Sequence, residues 1–312
     1  MNTLLNRRTV LMTAALGAGT TLLQACGGGD DEPQRTIVEI AQNNPDLSIL
    51  VEAVVAAGLT QTLSTGSLTV LAPTNAAFAA LLTELGVTKE ALLANKTLLT
   101  AVLSYHVLGS KVARADVPVG KAITPLAGGF FKIEATGGLK VTDGRNRVSN
   151  ITATDIQASN GVVHLLDRVL LPADKDIVAT ASVLPDFSIL VEAVAAAGLV
   201  STLQGQGPFT VFAPTNAAFA ALLAELGVTK EALFANKALL TSVLTYHVVP
   251  ARVLKAEVPV GSPITSVQGQ TFTVSASLAI SDQRMRTSDI VAADVLTSNG
   301  VIHVVDKVIL PR

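Results

Sequence analysis

Four histidines, two tyrosines and one cysteine are the side chains of this 312-residue chain best suited to acid–base, nucleophilic or metal chemistry. They are not scattered. Tyr105-His106 recurs as Tyr246-His247, and His164 with Asp167 recurs as His303 with Asp306. An imidazole beside a carboxylate can form a base–orienter pair or half of a metal site. Here the two stand three residues apart in β-rich runs, and odd spacing on a strand sends side chains to opposite faces. That geometry excludes a shared metal or proton within one strand, so the residues offer no catalytic, cofactor or metal site. A structural reading is a part-buried histidine that bonds backbone and fixes a hairpin. Tyr105 and His106 leave a helical run as neighbours and so point in different directions, and a tyrosine needs only one partner for its hydroxyl. The single cysteine, Cys26, excludes a disulfide framework and a thiolate cluster. No nucleophile elbow, zinc-protease helix or phosphate loop is found. Gly205-Gln206-Gly207-Pro208 is glycine-rich but precedes a strand where a dinucleotide loop would follow one, and it reads as a turn.

The elements that position these groups come twice. Ala72 to Val107 aligns without a gap on Ala213 to Val248, with 31 of 36 positions identical, and the period is about 140 residues. That is too long for a solenoid and fits a tandem domain duplication. The boundaries read as a segment 1–25, a tether 26–34, domain one over 35–173 and domain two over 174–312. Only Pro172-Ala173-Asp174-Lys175 joins the units, which limits their relative orientations. Lys121 to Asn150 and Ser262 to Ser288 share little. That region is either loop and edge strand, or the place where the two units bind different things.

Each unit starts helical. Asp46 is placed to cap a helix with Leu47, Leu50, Val51, Val54 and Val55 on one face, ended by Gly58. Ser67 to Ala72 reads as a strand stopped by Pro73, Phe78 to Leu85 as a helix up to Gly86, and Thr88 as the cap of another. The final runs, Ile151–Ser159 and Val162–Leu171, flank Asn160-Gly161, the signal of a type I′ hairpin. Helices first and antiparallel strands later give an α+β class.

Twenty-two basic against 24 acidic residues leave no electrostatic footprint for nucleic acid. Hydrophobic residues make up 49% and charged residues 15%, enough for packed cores. Residues 1–25 read as an export signal: Arg7-Arg8, then the 17 uncharged residues Thr9–Ala25, with Leu23-Gln24-Ala25 leading into Cys26. The end resembles the lipobox of bacterial lipoproteins, whose cysteine is acylated. The paired arginines resemble a twin-arginine signal, with Val10 and Met12 in place of the usual Phe and Lys, so that route and the general one both stay open. The partner implied at Cys26 is a membrane, through a lipid anchor, and the following Gly27-Gly28-Gly29-Asp30-Asp31-Glu32 is a flexible acidic tether.

Three motifs carry a further resemblance. Phe209 to Phe219 is similar to the first signature of fasciclin (FAS1) domains, and Asn299 to Pro311 to the second, with Leu68–Phe78 and Asn160–Pro172 in the same places of unit one. The Tyr-His pairs lie between them. The resemblance implies two tandem domains, each a wedge of β-sandwich with helices packed around it. It implies a non-enzymatic role in adhesion, with an unidentified protein or glycan partner. In animal members, receptor binding is attributed to the Tyr-His region and to an Asp-Ile pair upstream of the second signature. The matching positions are Tyr105, His106, Asp155 and Ile156 in unit one, and Tyr246, His247, Asp294 and Val295 in unit two, where Val295 departs from the pattern. The location implied is exported and lipid-anchored, at the outer membrane or cell surface rather than the inner membrane, since Gly27 is not the Asp of an inner-membrane signal. The alternatives are a hydrolytic or small-molecule-binding periplasmic protein, which needs a histidine and a carboxylate in one cavity, and a passive envelope scaffold.

Overall fold

A computed structural model of the chain describes residues 35–312; the segments read as an export signal and a tether, with Cys26, lie outside the described residues. Unit one runs α1 (Ile37–Gln42), α2 (Ser48–Ala57), α3 (Thr60–Ser64), β1 (Leu68–Pro73), α4 (Asn75–Leu85), α5 (Lys89–Ala94) and α6 (Lys96–Tyr105). Six strands follow: β2 (Val107–Leu108), β3 (Ala122–Ile123), β4 (Phe131–Glu134), β5 (Lys140–Thr142), β6 (Val148–Ala158) and β7 (Gly161–Leu166). Unit two repeats the order as α7 (Ile177–Ser182), α8 (Ser188–Ala196), α9 (Val200–Leu203), β8 (Phe209–Pro214), α10 (Asn216–Leu226), α11 (Lys230–Ala235) and α12 (Lys237–Tyr246). It ends with β9 (Val248–Val249), β10 (Ile264–Thr265), β11 (Thr271–Val274), β12 (Ala279–Ser281), β13 (Thr287–Thr297) and β14 (Gly300–Val305).

Local chemistry sets most helix ends. The Thr74 hydroxyl accepts the Ala77 N–H at the start of α4, and Gly86 closes it at φ 64°. Thr88 caps α5 in the same way. Asp46 does not cap α2. Asn44 accepts the Asp46 N–H at 3.0 Å and opens a 3-10 turn over Pro45–Leu47, because proline suits the first position of such a turn. The Ile49 N–H at the start of α2 is taken by the Asn75 side chain at 2.9 Å, so one helix caps another.

In each unit the strands form one seven-stranded sheet, ordered β2-β1-β7-β6-β5-β4-β3 and β10-β11-β12-β13-β14-β8-β9. One pair is parallel, β1 on β7, and the others are antiparallel. The eleven-residue β6 belongs to both halves: Val148–Asn150 pair with β5, and the remainder with β7 across two register shifts. The bulge between Ala153 and Ile156 carries Asp155 at φ 60°, and its twist curls the sheet. Leu71, Tyr105, Ile123, Phe131, Val141 and Leu166 therefore meet inside the curl, although they come from opposite ends of the sheet. The other face of β1 and β7 packs Val70, Ala72 and Val163 against the helices. The wedge is thus one curled sheet clad in helices, and unit two has the same two cores.

The hairpin signal has another cause than the one its residues advertise. Ala158 pairs with Gly161, so Ser159-Asn160 makes the turn and neither has positive φ. Asn160 is fixed by tertiary bonds: its side chain accepts the Ile37 N–H at 2.9 Å and donates to the Leu63 carbonyl at 2.8 Å. Gly161 is required by crowding, since a Cβ there would stand 2.0 Å from the Leu68 carbonyl oxygen. Asn299 and Gly300 repeat both arrangements.

Candidate functional site

The Tyr-His pairs end α6 and α12, and both members are buried. Tyr105 donates its hydroxyl proton to the Phe130 carbonyl at 2.5 Å and packs edge-on against Phe131. Burial pushes its pKa well above the ordinary tyrosine value. Tyr246 bonds the Thr271 carbonyl at 2.8 Å, and burial pushes its pKa up to about 12. His106 donates from Nδ1 to the Val102 carbonyl at 2.7 Å and accepts the Leu170 N–H on Nε2 at 2.9 Å. His247 does the same with Val243 at 2.8 Å and Ile309 at 3.0 Å. These bonds fix the neutral tautomer. Burial lowers both pKa values to about 4. Each imidazole pins a helix end to the chain leaving the last strand.

The other two histidines brace the bulges. His164 accepts the Asp155 N–H on Nδ1 at 3.2 Å and donates from Nε2 to Val112 at 3.0 Å. His303 treats Asp294 and Val253 alike, at 3.3 and 2.9 Å, and burial lowers its pKa. The partners of Asp167 are Asn150 and Ser149, not His164. Among the described residues no three His, Cys, Asp or Glu side chains gather as a metal would need. His106 and His247 line apolar cavities that contain no carboxylate.

The expected contact residues do not form one surface. Tyr105, His106, Tyr246 and His247 lie inside their units, where a partner docking on the folded protein does not touch them. Ile156 and Val295 pack against the helical cores. Asp155 is half-buried and accepts the Arg114 N–H at 2.8 Å. Asp294, only 7% exposed, accepts the Lys255 N–H at 2.7 Å and meets Lys132 of unit one at 3.0 Å. The apolar bodies of the tyrosines and the backbone partners of the histidines are the reason: these groups are spent on closing the fold.

That last contact belongs to a seam whose residues the sequence reasoning missed. Phe130 and Ala122 of unit one pack on Leu254, Leu296 and Val301 of unit two. The Arg252 guanidinium lies 4.5 Å from the centre of the Phe130 ring. Asn146 reads the backbone of Leu296 in both directions, accepting its N–H at 2.6 Å and donating to its carbonyl at 3.0 Å. Lys132 also meets Glu134 at 2.7 Å; burial opposes its charge, but the two carboxylates outweigh that and hold its pKa above the ordinary value. Gly120 is needed because a Cβ there would come within 2.8 Å of the Ala256 Cβ. The connector is held as well: Ala173 crosses Gly144, where a Cβ would stand 2.2 Å from its nitrogen, and Arg145 pairs with Asp174 at 3.1 Å. The available signal was the poor similarity of Lys121–Asn150 to Ser262–Ser288, since most of unit one's share of the seam lies there.

Comparison with known proteins agrees with the duplicated architecture. A protein of Synechocystis, protein sll1483, is 48% identical over 128 residues, covering 40% of this chain and 67% of that protein. The pig transforming growth factor-beta-induced protein ig-h3 is 29% identical over 255 residues, 79% of this chain, which spans only 35% of that relative's length. The solved FAS1 domain pair of the insect cell adhesion molecule fasciclin I aligns with a TM-score of 0.44 at 17% identity, covering 85% of this chain and 97% of that one. The fasciclin domain model matches residues 45–172 and again 185–311. The chain therefore belongs to the fasciclin domain family, with two copies of the domain in tandem.

Proposed function

We propose that this chain is a non-enzymatic contact protein, exported and held to a bacterial envelope through lipid on Cys26, with its two fasciclin domains engaging a protein or glycan at the outer membrane or cell surface. The observation that carries the non-enzymatic part is the engagement of every imidazole with backbone, which leaves no histidine to act on a substrate. Adhesion is the role the family resemblance implies. The anchor is supported by the lipobox-like Leu23-Gln24-Ala25-Cys26 and by the glycine-rich acidic stretch behind it. Among the described residues no helix is long and apolar enough to cross a membrane. Removal of the two signal arginines leaves 20 basic against 24 acidic residues, a charge of −4 that favours standing clear of an anionic bilayer.

Attachment of cells or envelope components to the immobilised mature chain, against a scrambled-surface control, tests the contact role; attachment no greater than the control overturns it. Palmitate labelling tests the anchor. It is expected to vanish in Cys26→Ala and to be globomycin-sensitive, and unchanged labelling rejects the lipid.

A further inference from the structure

The seam encloses more than a contact. Between the units lies a cleft of about 510 Å³, open to solvent. Thr124 and Phe130 line it from unit one; Gln204, Gln206, Arg252 and Ser298 line it from unit two. Its volume falls within the usual range for ligand sites. The cavities under the helices are lined almost wholly by aliphatic side chains, whereas this one is half polar.

Arg252 defines its chemistry. Arg145, Arg147 and Arg286 are each paired with a carboxylate, but among the described residues Arg252 has no ion pair. It is half-buried, and its guanidinium lies over the Phe130 ring. Its N–H groups make no hydrogen bond to protein among the described residues, which leaves the guanidinium fork to hold a carboxylate by two parallel bonds. Around it the Gln204 and Gln206 amides and the Ser298 and Thr124 hydroxyls make no side-chain hydrogen bond to protein, and all four are exposed. Neutral donors and acceptors of this kind complement hydroxyl groups. The one acidic group on the rim, Asp176, is turned to the Ala179 N–H at 2.7 Å, where it caps α7.

We propose that the seam binds a carboxylate carried on a hydroxyl-rich chain, that is, a uronic-acid oligosaccharide, with Arg252 on the carboxylate and the amides on the ring hydroxyls. This deepens the contact reading and rests on it, by naming the partner's chemistry and where it sits. Neither unit alone contains the site, because Phe130 orders the arginine from across the seam.

The test is calorimetric titration of the mature two-domain chain with trigalacturonate, a neutral galactose trisaccharide and inorganic sulfate. Trigalacturonate is expected to bind with a Kd below about 1 mM and the other two at least about tenfold more weakly. Arg252→Gln is expected to weaken trigalacturonate binding by about tenfold or more, and so is Gln206→Asp, which sets a like charge beside the carboxylate on an exposed position that does not touch the seam core. Equal binding of the neutral trisaccharide, equal binding of sulfate, unchanged affinity in both variants, or no binding of trigalacturonate each overturns the proposal. If binding is absent while cell attachment persists, the contact role stands on another surface and this site alone fails.

Discussion

Asp155 and Asp294 occupy the same bulge in the two units, at φ 60° and 62°, each with its N–H on a buried histidine and its carboxylate on the backbone two residues beyond a second histidine partner. Only Asp294 has a lysine from the neighbouring unit on its second oxygen. The same contrast runs through the seam. Unit one's Phe130, Lys132 and Asn146 correspond to Thr271, Thr273 and Met285 in unit two, where Met285 is 90% exposed. Unit two's Leu254 and Leu296 correspond to Ala113 and Gln157 in unit one. The interface is head-to-tail, and such an interface propagates into an open array if every copy keeps both faces. Here each unit keeps only the face it uses. The histidine braces are the same in both units, whereas the side chains that meet at the seam differ between the two copies.

The seam is most vulnerable at Phe130. Phe130→Ala should cost about 4 kcal/mol and split calorimetric unfolding into two transitions, whereas Thr271→Ala should cost well under about 1 kcal/mol. A single undisturbed transition would show that the units are not coupled through this ring. Acid should act on both units through the imidazoles that end α6 and α12. The His106 and His247 imidazoles take a proton near pH 6.5 when unfolded and only near pH 4 when folded. Acid therefore favours the unfolded chain: stability is intact above about pH 6.5 and falls by roughly 3 kcal/mol per histidine towards pH 4. Denaturant midpoints across that range, with either histidine replaced by Gln, will measure each share.

Smaller effects separate the two aspartates. Asn tolerates the left-handed backbone of the bulge, so Asp294→Asn removes little but the charge opposite Lys132 and should cost about 2 kcal/mol. Asp155→Asn should cost less than about 1 kcal/mol. Equal urea midpoints for the two variants would remove the buried ion pair from the account of the seam. Restoring one face, with Ala113→Leu and Gln157→Leu, should leave the chain's sedimentation unchanged. Adding Thr271→Phe, Thr273→Lys and Met285→Asn should make sedimentation concentration-dependent, as completed head and tail faces meet on different molecules.

Much of the fold was legible because it is written locally. Thr74, Gly86 and Thr88 mark helix ends by bonds to their own neighbours, and of these Gly86 and Thr88 read correctly. Asn160-Gly161 also looked local, yet Asn160 answers to Ile37 and Leu63 and Gly161 to Leu68, so the turn type read from it was wrong. The Tyr-His pairs were visible as residue types, but their depth depends on the curl of the sheet, which a bulge near Asp155 sets from fifty residues away. The seam was least legible of all. Nothing around Phe130 signals that Leu254 and Leu296 will cover it; only the mismatch between the two copies marks the region.

The four-residue connector, pinned across Gly144 and tied by Arg145 to Asp174, has a thermodynamic consequence. Tethering at so short a range sets an effective concentration in the millimolar range or above, so faces too weak to find each other as separate chains stay joined. A single peptide bond cut between Pro172 and Lys175 would leave both folds whole and return their association to mass action.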